Sequence, residues 1–175
     1  MERLSISILM LMTLCALSCR AQKVDNSTVA SLDPERYLGK WYEIARFDHS
    51  FERGLDFATA EYLVTDDCDK IKVINRGVKN GELKTSEGKA RFTDTPGLLR
   101  VSFFGPFYSD YRVMMLSDDY SYALVGSKSG KYLWILSRTK QLPIGAQSRI
   151  LDEAVSRGYN VEDLIWVKHS LYTDN

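Results

Sequence analysis

GKWYEIARFDHSFERG, residues 39–54, joins a Gly-x-Trp, an alternating run and a charged stretch carrying Phe47 and Phe51. Trp41, Glu43 and Ala45 share one parity, so a regular strand places all three on one face. A carboxylate on the tryptophan face does not suit a strand with one oily and one wet side. It suits the first strand of a closed barrel whose oily inside is a ligand cavity.

Strand patterns recur downstream with turn chemistry between them. They cover 40–47, 57–64, 70–78, 85–92, 98–104, 111–116, 121–126 and 132–137. Asn80-Gly81 is a strong hairpin pair, and Gly105-Pro106 ends the fifth run. The rhythm of about a dozen residues per strand is that of an all-β sandwich or barrel. After Pro143 the period changes. Ile150, Leu151, Ala154 and Val155 fall on one helical face, with Gly145 leading in and Arg157-Gly158 as the stop. A short final strand is expected over 165–167. The fold class read from this is all-β: an eight-stranded antiparallel up-and-down barrel with a C-terminal helix and a last strand. Closure removes the two exposed edges of an open sheet. Eight strands are just wide enough to hold one small ligand.

Charged neighbours set the inward parity. Ala58, Ala60, Tyr62 and Val64 oppose Thr59 and Glu61. Ile71, Val73 and Asn75 oppose Lys70, Lys72 and Arg76. Gly88, Ala90 and Phe92 oppose Lys89 and Arg91. Leu99, Val101 and Phe103 oppose Arg100, and Tyr111, Val113 and Met115 oppose Arg112. Native packing density needs large residues at most inner positions. Ala58, Ala60, Gly88 and Ala90 are small, which leaves either a cavity or space that neighbouring aromatics fill. A buried Glu43 needs a partner or a proton. It reads either as part of a structural network with a Tyr or Arg from a neighbouring strand, or as a polar anchor for a ligand, a role Asn75 could share.

The chain has 175 residues with 23 basic and 23 acidic side chains, so charge gives no reason to expect nucleic acid as a partner. Residues 4–17 form a nearly unbroken apolar run, too short to span a bilayer and suited to a signal-peptide core. The expected layout is a signal peptide over 1–18, a tether over 19–31, the barrel domain over 32–170 and a tail over 171–175. Two processing readings compete. Ser18-Cys19 resembles a lipobox, which makes Cys19 a lipidation site and the membrane a partner through the lipid. Cleavage after Ala21 instead frees a soluble periplasmic or secreted chain. Cys68 is then the last cysteine, so a disulfide within the mature chain is excluded, and a homodimer through Cys68 stays open.

Catalytic chemistry needs a constellation. His49 and His169 are isolated in sequence, and a lone loop histidine such as His49 is expected in solvent. No His/Cys cluster has metal-ligand spacing, and neither a nucleophile elbow nor a phosphate loop occurs. No metal, cofactor or enzymatic role is expected.

Gly39-Lys40-Trp41, then Ser117 to Tyr120 between the sixth and seventh strands, then Arg138 after the eighth resemble in order the three motifs of the lipocalins. The second is altered. GKWYEIARFDHSFERG, VSFFGPFY, YLWILSRT and IWVKH resemble the bacterial outer-membrane lipoprotein group of that family, from about Leu32 to His169. The resemblance implies that Gly39, Trp41 and Arg138 are structural and that the cavity opens at the opposite end, near the loops holding Phe51, Phe107 and Tyr108. Those aromatics read equally as loop anchors or as a rim meeting lipid. It further implies a carrier or store of a fatty acid or lysophospholipid at the bacterial outer membrane, for membrane maintenance. The acyl chain would lie along Ala58, Ala60, Val73, Ala90 and Phe92, then Val101, Phe103, Val113 and Trp134. Glu43, Tyr62, Asn75 and Tyr111 complete the expected ligand-binding set. A lipid-modifying enzyme and an interaction module with a plugged barrel are the other readings.

Overall fold

The computed structural model describes residues 24–67 and 70–169. The expected signal peptide, Cys19 and Cys68 lie outside the described residues. A short helix α1 (Pro34–Tyr37) precedes β1 (Gly39–Phe47), β2 (Asp56–Val64), β3 (Ile71–Lys79) and β4 (Glu82–Phe92). Then come β5 (Leu98–Phe104), β6 (Phe107–Leu116), β7 (Tyr122–Gly126), β8 (Leu133–Ser137), helix α2 (Ala146–Ser156) and β9 (Leu164–Trp166). Every strand pair is antiparallel, β1 to β8 pair in sequence, and β1 also pairs with β8, which closes the barrel.

Turn chemistry explains why two strands run longer than sequence periodicity predicts. Asn80 and Gly81 both adopt positive φ, as a two-residue hairpin turn requires, and Lys79 pairs directly with Glu82. β4 therefore starts at Glu82 and not at Thr85. Gly105 takes a positive φ before Pro106, and Phe104 pairs with Phe107, so β6 begins four residues before Tyr111.

β-Bulges in β1 and β6 reverse parity in mid-strand. In β1, Glu43 pairs with Leu136 and Ala45 with Ile135, so Ile44 is the extra residue. Beyond it Ala45 faces the outer core, contrary to the regular-strand expectation, and Arg46 turns into the barrel. In β6 a bulge between Val113 and Met115 does the same. Met115, expected inside, packs with Met114 on the helix side, while Leu116 joins the inner cluster. Val64, also expected inside, lies at the end of β2 beyond the barrel floor and is 74% exposed.

Two cores result. The inner one fills the lower barrel with Trp41, Tyr62, Val73, Ala90, Leu99, Val113, Val125 and Leu136. The outer one seats α2 on the wall through Ala146, Ile150 and Ala154, spaced four apart and fully buried. Val155, expected on that face, is 55% exposed. Burying Ile150 contributes roughly 1.5–3 kcal/mol. The C-terminal β9 pairs with the upper half of β1 at Ala45–Phe47. Phe57 then donates its amide to Lys168 O at 2.9 Å, so the C-terminal segment bridges β1 and β2 where they part.

Candidate functional site

Strand direction fixes the two ends. The starts of β1, β3, β5 and β7 lie at one end, with the turns 65–70, 93–97 and 117–121. The other end carries the loops 48–55, 80–81, 105–106 and 127–132.

The first end is sealed. Gly39 takes φ 88° and an added Cβ would stand 3.5 Å from Arg138 Nη1. The Arg138 guanidinium lies 3.8 Å from the Trp41 ring centre and donates to Lys40 O (2.9 Å), Arg36 O (2.6 Å) and Tyr120 O (3.3 Å). Trp41 Nε1 donates to Tyr37 O at 2.9 Å. Arg36 stacks 4.0 Å from the Tyr120 ring, whose hydroxyl accepts from Asp33 N at 2.8 Å. One arginine thus ties α1, β1 and the 117–121 turn over a buried indole.

Above this floor stands a tyrosine triad. The Tyr111 hydroxyl is 2.8 Å from that of Tyr37 and accepts from Tyr62 at 2.9 Å. Burial pushes all three phenols well above their ordinary value. Tyr37 has no place in the alternation of any strand, and α1 is too short to show a helical period.

Higher still lies an ionic cluster that alternation conceals. Arg46, 2% exposed, donates from Nη1 to Glu43 Oε1 at 2.7 Å. Its Nη2 donates to Glu52 O (2.8 Å) and Leu55 O (3.1 Å), pinning the loop after β1 from inside the barrel. Glu52 turns inward from that loop, where its Oε2 accepts from Trp134 Nε1 at 3.0 Å and stands 2.9 Å from His49 Nε2. Burial first, and the Glu52 carboxylate next, push the Glu43 carboxyl up to about 8, while Arg46 pulls it back. Glu43's partner therefore comes from its own strand and not from a neighbouring one. His49, expected in solvent, is buried, stacked 3.9 Å from the Phe51 ring centre and packed on Trp134. His169 holds Glu43 O through Nε2 at 2.8 Å, a structural contact.

The expected lining residues fall in two sets. Tyr62, Val73, Ala90 and Val113 are buried members of the inner core, and Ala58 is buried near the bend that opens β2. Ala60, Phe92, Val101, Phe103, Tyr111 and Trp134 pack against that core yet stay part-exposed. Gly88 does not leave the space expected of it. A Cβ there would meet Ser102 O at 2.7 Å and Phe103 Cδ1 at 2.8 Å, so the Phe103 ring occupies the gap. Asn75 Oδ1 and Arg46 Nε are buried with no hydrogen-bond partner among the described residues. No group of three or more His, Cys, Asp or Glu among the described residues is placed to hold a metal.

Comparison with known proteins fits this geometry. The lipocalin-like domain family model matches residues 32–169. Outer membrane lipoprotein Blc of Vibrio cholerae is 48% identical over 145 residues, covering 80% of this chain and 84% of that protein. Its counterpart in Escherichia coli K12 is 47% identical, covering 81% and 82%. Temperature-induced lipocalin-1 of Arabidopsis thaliana is 36% identical, covering 82% of each. Among solved structures, insecticyanin of the tobacco hornworm superposes with a TM-score of 0.68 at 25% identity, covering 84% of this chain and 86% of that one.

Proposed function

Since the chain belongs to the lipocalin family, we propose that it carries or stores a fatty acid or lysophospholipid, tethered to the bacterial outer membrane by lipid on Cys19. One observation carries this reading. Inside a closed barrel over a sealed floor, Ala60, Phe92, Val101, Phe103 and Trp134 pack against the inner core without being fully buried. An acyl chain placed there gains roughly 0.8 kcal/mol per buried methylene. A dozen methylenes give about 10 kcal/mol, from which the ordering costs of association are subtracted. Asn75 Oδ1 and Arg46 Nε, both without a hydrogen-bond partner among the described residues, are polar atoms a head group would meet above that wall. The outer-membrane placement is supported by the bacterial relatives, which are outer membrane lipoproteins.

The plugged-barrel reading is favoured by a different observation, the Arg46–Glu43–Glu52–Trp134 network that crosses the upper barrel. Mass spectrometry of the natively purified protein separates the two. A co-purified acyl lipid, or uptake of a fluorescent fatty acid, supports the carrier. Absence of both supports the plug.

A further inference from the structure

The large apolar side chains left in solvent include a set at the open end of the barrel. Phe51 lies in the loop after β1, Leu83 beside the β3–β4 turn, and Phe104 and Phe107 flank Gly105-Pro106. They are 61–80% exposed and come from three loops consecutive around the rim. Monomeric proteins seldom leave such a set uncovered without a partner. At the same end Lys79, Lys128 and Lys131 are exposed and form no ion pair among the described residues, whereas Asp48 is matched by Arg53 and Glu82 by Lys84.

The path of the N-terminal segment indicates what covers this rim. Val24 packs on Gly130, and Asn26 Nδ2 donates to Ser127 O (3.2 Å) and Lys128 O (2.6 Å), all in the loop between β7 and β8 at the open end. The segment then descends the wall. Val29 N donates to Val113 O and Asp33 N to the Tyr120 hydroxyl at the sealed end. The chain therefore enters the fold at the open rim. Cys19 lies five residues before Val24, and five residues span at most on the order of 17 Å.

The geometry points to the open mouth as a membrane-docking surface. A lipid on Cys19 holds the bilayer within a short reach of the rim. There Phe51, Leu83, Phe104 and Phe107 enter the head-group boundary and the three lysines meet its phosphates. A lipid molecule then passes between bilayer and barrel without crossing open water. This inference rests on the anchoring reading above and not on the identity of the cargo.

The test uses the full-length, processed protein reconstituted in vesicles of phosphatidylethanolamine with phosphatidylglycerol. Pro106→Cys at the rim and Asp118→Cys at the sealed end, each combined with Cys68→Ser, carry a polarity-sensitive fluorophore. Spin-labelled lipid should quench the rim label several-fold more than the sealed-end label, and adding Phe104→Ser with Phe107→Ser should abolish that difference. Equal quenching at both ends, quenching indifferent to the double substitution, or energy transfer between rim labels of two copies overturns the docking. A mature N terminus without acyl groups, read by mass spectrometry, overturns the anchoring and the docking with it. Fatty-acid uptake measured on the same samples tells the carrier reading apart. Uptake retained while docking is lost sinks only the docking, and uptake lost while docking persists sinks only the carrier.

Discussion

Arg46 reaches back along its own strand to Glu43, Nη1 to Oε1 at 2.7 Å, because the bulge at Ile44 turns both side chains into the barrel. The pair is buried, and a second carboxylate, Glu52, acts on Glu43 from the other side of the cluster.

The first prediction follows from the sign of that electrostatic imbalance. Glu43 titrates near 8 in the folded protein against an ordinary value of 4.5. Between those values the native state holds a proton that the unfolded chain has lost, so stability falls as pH rises through this window. Glu43→Gln removes the penalty. Its urea midpoint relative to wild type should therefore rise more at pH 8 than at pH 5. An equal difference at both values shows that Glu43 is ionised in the fold throughout.

Tyr111 is the hub of the tyrosine triad, and its hydroxyl serves two partners. Tyr111→Phe takes the partner from two buried hydroxyls, whereas Tyr37→Phe removes one bond and leaves the Tyr62–Tyr111 bond in place. The expected loss is about 1–3 kcal/mol for Tyr111→Phe, exceeding that for Tyr37→Phe. Denaturant titration of the two variants decides. Equal losses remove Tyr111 from the centre of the network.

At the sealed end, Arg138 combines a planar stack on Trp41 with bonds to three carbonyls. Lysine keeps the charge but lacks the fork and the plane. Arg138→Lys should cost about 2–4 kcal/mol, close to the cost of Arg138→Ala. Thermal unfolding of both variants checks this, and near-complete rescue by lysine would show that charge alone matters.

Ala90 is buried between Ile71 and Val101 on the inner face. Ala90→Trp should block uptake of a fluorescent fatty acid while the far-ultraviolet circular dichroism stays native, at a cost of about 1–3 kcal/mol in overpacking. Unchanged uptake takes Ala90 out of the proposed lining.

How much of this was legible varies with the range of the interaction. The hairpins at Asn80-Gly81 and Gly105-Pro106 were readable because two residues fix their backbone. Their flanking strands ran longer than expected because pairing continues right up to such a turn. Tyr62, Val73, Ala90 and Val113 were readable as inner residues because charged neighbours mark the outer face. Arg46, Glu52 and His49 were missed. Arg46 carries the wrong parity for a regular strand, and Glu52 and His49 sit in a loop whose inward fold no local pattern encodes. The run Ile44-Ala45 is apolar on both sides of the bulge, so alternation gives no sign of it.

The amino-acid order alone determined the number of strands, the turns that join them, the terminal helix and the motif that seals one end. These depend on contacts a few residues apart or on single residue types such as Gly39 and Trp41. Tertiary structure decided the parity reversals, the burial of Arg46 against the Glu43 carboxylate, the filling of the gap at Gly88 by Phe103 and the gathering of exposed phenylalanines on one rim. A bulge costs one unpaired residue locally, and whether it forms is settled by how the strands on either side close the barrel.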